Sequence, residues 1–319
     1  LVRFVQKYNE MRNFLNLKDI PKEDLRRIII DAKKRKNLRK KLSSLDIDIG
    51  APLKGKLLIQ MFEKSSLRTR LSFYLAIKQL GGTALTLRPD ELHIGKRSEP
   101  ISDTAKILGT YADLFMLRTD SEKKLELFKK NLDIPLINGL SPNSHPAQIL
   151  SDIFTIEEIK KKSISKLNIS WIGDSNNVLN SLIEASVKFS FNLKIACPKE
   201  FMPKKKLIEW VRKNDGKVYI FNNPLDAIKN SDVLLTDKVI SMNDKVNKSY
   251  KIKKFKNFKI NDQILKNAKK DLIILHCLPR GDEITDKVFN SVRSKVWIQA
   301  LNRVHVQKSI LLYCLDKLR

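Results

Sequence analysis

The chain has 319 residues, 42% of them apolar, and its 62 lysines and arginines against 35 aspartates and glutamates give a formal net charge of +27. This length suits two globular domains, and no apolar run approaches the ~20 residues of a membrane span or resembles a secretory leader, so we expect a cytoplasmic protein without a membrane partner. The basic residues form short scattered runs with few aromatics between them, and the three cysteines form no CxxC pair, so neither a nucleic-acid partner nor a metal site is expected.

Short apolar runs alternate with amphipathic stretches from Leu57 onward, a pattern typical of repeated βαβ units. We therefore predict an α/β fold of two domains, each with a central parallel sheet flanked by helices. Four strands are expected in the first sheet, at Leu57 to Phe62, Thr83 to Leu87, Asp113 to Leu117 and Ile134 to Ile137.

A polar and basic segment follows the first of these strands. Ser66 is a favourable N-cap for the next helix, and Arg68 and Thr69 fall in its first turn. Backbone N–H groups and the dipole of a helix start, with a guanidinium and a hydroxyl added, are suited to binding a phosphate. A capped surface helix with exposed arginines accounts for the same residues equally well, so the segment alone leaves both interpretations open.

A long helical pattern from His145 to about Lys162 is predicted to join the two domains, with Pro146 in its first turn. His145 and Gln148 are three residues apart, so they lie on one helix face and can contact one ligand together. A lone histidine at a helix start is more often a structural hydrogen-bonding residue, which makes this pair a weak signal by itself.

The second half of the chain repeats the alternation and predicts a second parallel sheet. Its strands are expected at Leu167 to Gly173, Leu193 to Ala196, Lys217 to Phe221, Asp232 to Leu235 and Leu272 to His276. A final amphipathic helix, Val304 to Leu318, is expected to pack back on the first domain. The predicted domains are therefore residues 1 to 147 together with 304 to 319, and residues 148 to 303.

Polar residues follow several strands of the second domain, where the ligands of parallel sheets collect. Asp174 to Asn177 lack the GxGxxG pattern of a dinucleotide site and suit a small zwitterion, although capping of the next helix explains them as well. Asp237 ends another strand, and His276 to Arg280 end the last one. Cys277 in that segment is either a reactive group or a buried packing residue.

Five segments, taken in order, resemble the signature motifs of ornithine carbamoyltransferases: Phe62 to Arg70, His145 to Gln148, Trp171 to Ser181, Asp237 to Met242 and His276 to Arg280. The similarity runs from about Asn13 to the C-terminus. It implies transfer of the carbamoyl group from carbamoyl phosphate to the side-chain amine of L-ornithine, which gives L-citrulline and phosphate. It also implies arginine biosynthesis as the setting, a homotrimer, and no metal or other cofactor, and it leaves the biosynthetic or catabolic direction open.

The resemblance further implies roles for individual residues. Those matched to the carbamoyl phosphate site are Ser66, Leu67, Arg68, Thr69, Arg118, His145, Gln148, Cys277, Leu278 and Arg303. Those matched to the ornithine site are Asn177, Asp237, Ser241 and Met242. Those expected to take part in catalysis are Arg118, His145, Asp237 and Cys277.

Three positions depart from the family's usual residues. Leu67 stands where threonine is common, Asn243 where glycine is usual, and Leu301 where an acidic residue is common. Leucine at the first of these also occurs in transferases that act on acylated ornithine, which leaves the amino-acid substrate open to that extent. One remaining alternative is aspartate carbamoyltransferase, which would lack both Ser241-Met242 and His276-Cys277-Leu278-Pro279. The other is a basic nucleic-acid-binding protein without catalysis.

Overall fold

A computed structural model describes residues 11–88, 99–240 and 246–318. Contacts between residues divide the chain into two compact units. Unit 1 contains the residues up to Ala147 and those from Arg303 onward, and unit 2 contains Gln148–Asn302. No helix in the described ranges is long and apolar enough to cross a membrane.

Unit 1 is built on a parallel sheet. Its elements are α1 (Lys22–Leu38), β1 (Leu57–Phe62), α2 (Leu67–Gln79), β2 (Thr83–Leu87), α3 (Ile101–Tyr111), β3 (Leu114–Arg118), α4 (Glu122–Asn131) and β4 (Leu136–Leu140). The four strands are parallel and lie in the order β2-β1-β3-β4.

The core of this unit lies against both faces of the sheet, as it must when crossover helices cover a parallel sheet. In β1 every residue from Leu58 to Phe62 is buried. On one face the rings of Phe115 and Phe128 lie 5.1 Å apart and join the cluster that contains Met61. Burying each such side chain contributes roughly 1.5–3 kcal/mol, so this cluster holds β1 and β3 in place.

Unit 2 repeats the arrangement around a larger sheet. Its elements begin in α5 (Pro146–Lys160) and continue with β5 (Asn168–Ile172), α6 (Asn177–Lys188), β6 (Asn192–Ala196), α7 (Lys205–Lys213), β7 (Val218–Phe221), α8 (Pro224–Ile228), β8 (Val233–Thr236), α9 (Lys248–Phe255), α10 (Asp262–Leu265), β9 (Ile273–His276), α11 (Asp286–Phe289) and α12 (Val296–Cys314). The strand order is β7-β6-β5-β8-β9, again parallel throughout. The last residues of α12 belong to unit 1.

Each sheet has one point at which the strand order reverses. In unit 1 it lies between β1 and β3, and in unit 2 between β5 and β8. The connections leave to opposite sides at such a point and open a crevice beyond the carboxyl ends of the strands, which is where ligands bind in open α/β sheets. The residues that follow these four strands are therefore the candidates for a site.

The predicted α/β class with two parallel sheets is confirmed, and β1 and β2 have the predicted bounds. The fourth strand begins at Leu136 rather than Ile134. Pro135 cannot donate a ladder hydrogen bond, and its carbonyl accepts from the N–H of Phe115 just before the paired region.

Two helices also differ from their predicted bounds. The linking helix ends at Lys160, because Lys161 takes a left-handed backbone conformation with φ of 53°. The last helix begins at Val296, eight residues before the predicted Val304. Its first turns bury polar residues such as Gln299, so the apolar periodicity that marks a helix is missing there.

Candidate active site

The start of α2 follows β1 and carries the first group of predicted residues. Ser66 has extended backbone angles and precedes Leu67, the first residue of the helix. The Ser66 hydroxyl accepts no hydrogen bond from the first turn, so the N–H groups there are not capped by this side chain. The positive end of the helix dipole and these donors together favour an anion.

Thr69 brings together two of the predicted arginines. Arg118, the last residue of β3, donates from Nη1 to Thr69 Oγ1 at 3.3 Å, and Arg303 of α12 donates from Nη2 to the same oxygen at 2.8 Å. Thr69 and Arg303 are almost fully buried. Three elements of unit 1 thus place two guanidinium groups at one hydroxyl in the first turn of α2.

His145 lies in the same electrostatic environment. It is 3% exposed, and burial lowers its pKa well below the ordinary value of 6.5, with further lowering by the positive charges of Arg303, Arg118 and Arg68. The imidazole is therefore neutral at neutral pH. The positive charges of three arginines act on one buried ring, and an environment of that charge favours a phosphate.

Asp237 is the centre of the polar group in unit 2. It follows β8, and its Oδ1 accepts from Cys277 Sγ at 3.0 Å. Its Oδ2 accepts from Asn176 Nδ2 at 2.7 Å. Asn176 also caps α6, because its side-chain oxygen accepts from the N–H groups of Val178 and Leu179. The ends of β8 and β9 and the start of α6 are thereby joined by side chains.

The side chain of His276 stabilises the turn after β9. The N–H of Leu278 donates to His276 Nδ1 at 2.9 Å, so Nδ1 is an acceptor and Nε2 is the ring nitrogen that donates to Glu283 Oε1, at 2.9 Å. Burial acts to raise the pKa of Glu283, but hydrogen bonds from His276 and the Gly281 N–H outweigh it and hold the pKa below its usual value. Glu283 is therefore ionised and orders the turn that carries Cys277.

The remaining predicted residues have the following positions. Gln148 is buried in the first turns of α5 and donates from Nε2 to Asp152 Oδ1 at 2.8 Å. Asn177 is the first residue of α6, next to the capping Asn176. Ser241, Met242 and the unusual Asn243 lie outside the described residues.

Comparison with known proteins identifies the family. Residues 12–158 match the model described as aspartate/ornithine carbamoyltransferase, carbamoyl-P binding domain, and residues 165–314 match its Asp/Orn binding domain. The ornithine carbamoyltransferase of Mesorhizobium japonicum is 39% identical over 96% of this chain and 99% of its own length. The chain belongs to the ornithine carbamoyltransferase family.

Solved structures of ornithine carbamoyltransferases have the same fold over nearly the whole chain. That from Pyrococcus furiosus is 37% identical with a TM-score of 0.88, and the match covers 95% of this chain and 96% of the other. The anabolic enzyme from Campylobacter jejuni is 34% identical with a TM-score of 0.87, over 96% and 100%.

Three residues to which the sequence analysis gave no individual role support the predicted site residues. The Glu63 N–H donates to the Arg118 carbonyl at 3.0 Å, and the Glu63 carboxylate accepts from Thr119 and Lys124, so it fixes the backbone that carries Arg118. Asn176 and Asp152 are the other two. The signals available in the sequence were a carboxylate directly after a predicted strand and an aspartate within an apolar helix.

Proposed function

We propose that this chain transfers the carbamoyl group of carbamoyl phosphate to the side-chain amine of L-ornithine and releases L-citrulline and phosphate, in arginine biosynthesis. Full-length relatives named ornithine carbamoyltransferase support this reaction. The observation that carries it in the structure is the convergence of Arg118 and Arg303 on Thr69, at the helix start that follows β1.

In this proposal residues 1 to 147 with 304 to 319 bind carbamoyl phosphate, and residues 148 to 303 bind ornithine. The phosphate carries roughly two negative charges, so the protein must supply several N–H and cationic donors. The start of α2 supplies backbone donors through Ser66 and Leu67, and Arg68, Thr69 and Arg303 supply side chains. Arg118 serves both the phosphate and the reacting carbonyl.

The carbamoyl group is assigned to His145, Gln148, Cys277 and Leu278. As the amine attacks, negative charge develops on the former carbonyl oxygen and must be stabilised by preorganised donors. A neutral His145 suits this role, because its N–H donates a hydrogen bond without requiring a proton to be taken up from solution. The bond to the phosphate oxygen then breaks, and phosphate leaves as a stable anion.

Ornithine is assigned to Asn177, Asp237, Ser241 and Met242. Its side-chain amine resembles that of lysine, with a pKa of about 10.4, and must lose a proton before it attacks. Asp237, oriented by Cys277 and Asn176, supports this role, since a carboxylate held on both oxygens keeps a fixed direction toward the amine. Carbamoyl phosphate is already activated, so the transfer requires no cofactor or metal.

We also propose a cytoplasmic homotrimer. The support in the structure is an apolar stripe on α2, where Leu67, Leu71 and Tyr74 are 69, 50 and 39% exposed. These residues recur at helical spacing on one face, which is the arrangement of a surface that another subunit covers. Analytical ultracentrifugation tests this, and a monomer at micromolar concentration would contradict it.

The substrate assignment is tested by measuring carbamoylated products with ornithine, acetylornithine and aspartate in parallel. We expect citrulline from ornithine at a rate far above that with either alternative. Carbamoyl aspartate as the main product would assign the chain to the aspartate branch of the superfamily. A preference for acetylornithine would instead indicate that the exposed Leu67 is the leucine found in transferases that act on acylated ornithine.

A further inference from the structure

Two buried glutamine side chains meet at one carboxylate in unit 2. Gln148 on α5 and Gln299 on α12 each donate from Nε2 to Asp152 Oδ1, at 2.8 Å in both cases. All three residues are at most 2% exposed. Because water cannot replace either bond, breaking one leaves a buried polar group without that partner.

The carboxylate decides which way each amide faces. An amide has a donating end and an accepting end, and Asp152 Oδ1 accepts from the donating end of both glutamines. The nitrogen of Gln148 is bound to Asp152, so Oε1 is the end that points away from it. Gln299 follows the same rule, and its Oε1 accepts from the backbone N–H of His276 at 3.0 Å.

We propose that Asp152 is a positioning residue that presents Gln148 as a hydrogen-bond acceptor to the carbamoyl nitrogen. This inference rests on the proposed function, in which Gln148 contacts the carbamoyl group. That group ends in an amino group, which donates, so Oε1 of Gln148 is its complement. A flipped Gln148 would set one donating NH2 group against another.

Acetyl phosphate isolates this interaction. It carries the same phosphate and carbonyl as carbamoyl phosphate but has a methyl group in place of the amino group, so it cannot donate to Gln148. A site that hydrogen-bonds a substrate group rejects the analogue that lacks it. The wild-type protein should therefore bind carbamoyl phosphate more tightly than acetyl phosphate, and Asp152 should be needed for that preference.

The second bond of the carboxylate provides an internal control. Gln299→Met has similar length and loses the contact with the His276 N–H, but it leaves the bond between Gln148 and Asp152 in place. The preference for carbamoyl phosphate over acetyl phosphate should remain in this variant. Because His276 precedes Cys277 in the turn after β9, any disturbance of that turn should change the affinities for carbamoyl phosphate and acetyl phosphate by the same factor.

The test measures the Michaelis constant of carbamoyl phosphate and the inhibition constant of acetyl phosphate in wild type, Asp152→Leu and Asp152→Asn. For Asp152→Leu we expect carbamoyl phosphate to weaken by about 3- to 10-fold, the loss of one neutral hydrogen bond, with acetyl phosphate unchanged. Asp152→Asn retains an accepting oxygen and should recover most of the preference. A purely structural role would weaken both ligands equally, and that result overturns the proposal.

Gln148→Met keeps the test decisive if Asp152→Leu does not fold. It removes the acceptor and should lose the same preference, so a Gln148→Met protein that still prefers carbamoyl phosphate also overturns the proposal. The proposed function fails separately, through the absence of citrulline from ornithine with wild-type protein. An active wild type whose variants show no selective loss refutes only the role of Asp152.

Discussion

Replacing Arg303 by methionine removes one buried guanidinium from unit 1 and keeps most of the aliphatic bulk on α12. Arg303 is 3% exposed, and its Nη2 donates to Thr69 Oγ1 at 2.8 Å. A hydrogen bond from a charged donor to a ligand contributes about 1.5–3 kcal/mol, so the affinity for carbamoyl phosphate should fall by about 10- to 150-fold.

The same substitution should be visible at His145. Burial is the largest cause of its low pKa, and the charge of Arg303 is the next. Removing that charge should raise the pKa of His145 toward its ordinary value. A proton NMR titration of the imidazole, with a His145→Gln protein to assign the resonance, measures the change independently of turnover.

The matched control is Arg212→Gln, which removes an exposed arginine from α7 in unit 2. It should leave both the carbamoyl phosphate affinity and the His145 pKa unchanged. The placement of Arg303 beside the phosphate and His145 would be refuted by an Arg303→Met protein that is folded, binds carbamoyl phosphate within twofold of wild type and titrates His145 as before.

Asn176→Ala removes the N-cap of α6 and the bond to Asp237, so urea denaturation should show a loss of about 0.5–2 kcal/mol and turnover should fall. Asn176→Asp keeps the cap but sets a second carboxylate beside Asp237, so it should recover only part of the lost stability and none of the lost turnover. Wild-type turnover in both variants would contradict this. His305 has a pKa lowered to about 3 by burial first and then by Lys308, so between about pH 6.5 and pH 3 the unfolded chain alone takes up this proton. The free energy of unfolding should therefore fall by up to about 1.4 kcal/mol per pH unit on acidification, and His305→Gln should show a shallower slope; identical slopes would rule out this contribution. Leu67 belongs to the apolar stripe on α2 that we propose another subunit covers, so Leu67→Thr should weaken association of the trimer. The added hydroxyl should also lower the Michaelis constant for carbamoyl phosphate, and an unchanged constant would show that residue 67 offers the ligand only its backbone.

Periodicity was sufficient for β1, whose burial follows the apolar run of the sequence. It failed where polar residues are buried. The first turns of α12 contain Gln299 and Asn302, which are in the core because Asp152 and Thr155 bind them, and these partners lie 147 residues away along the chain. Such pairing has no local signature.

The candidate site, too, was predictable from the sequence only in part. The resemblance selected Thr69, Arg118 and Arg303, but their contact depends on how β3 and α12 pack beside α2. The choice between Asn176 and Asn177 depends on the residue at which α6 begins, and helix ends are the least certain feature of a sequence-based prediction. Only the structure shows that Asn176 is the residue bound to Asp237.

The most direct test of the central claim follows citrulline and inorganic phosphate together in one reaction of wild-type protein with carbamoyl phosphate and L-ornithine. Direct transfer predicts that the two products appear in a one-to-one ratio. It also predicts that Arg68→Ala loses most of this activity through weaker binding of carbamoyl phosphate. Phosphate release without citrulline, or near-normal turnover and affinity in Arg68→Ala, would contradict the assignment of the start of α2 as the phosphate site.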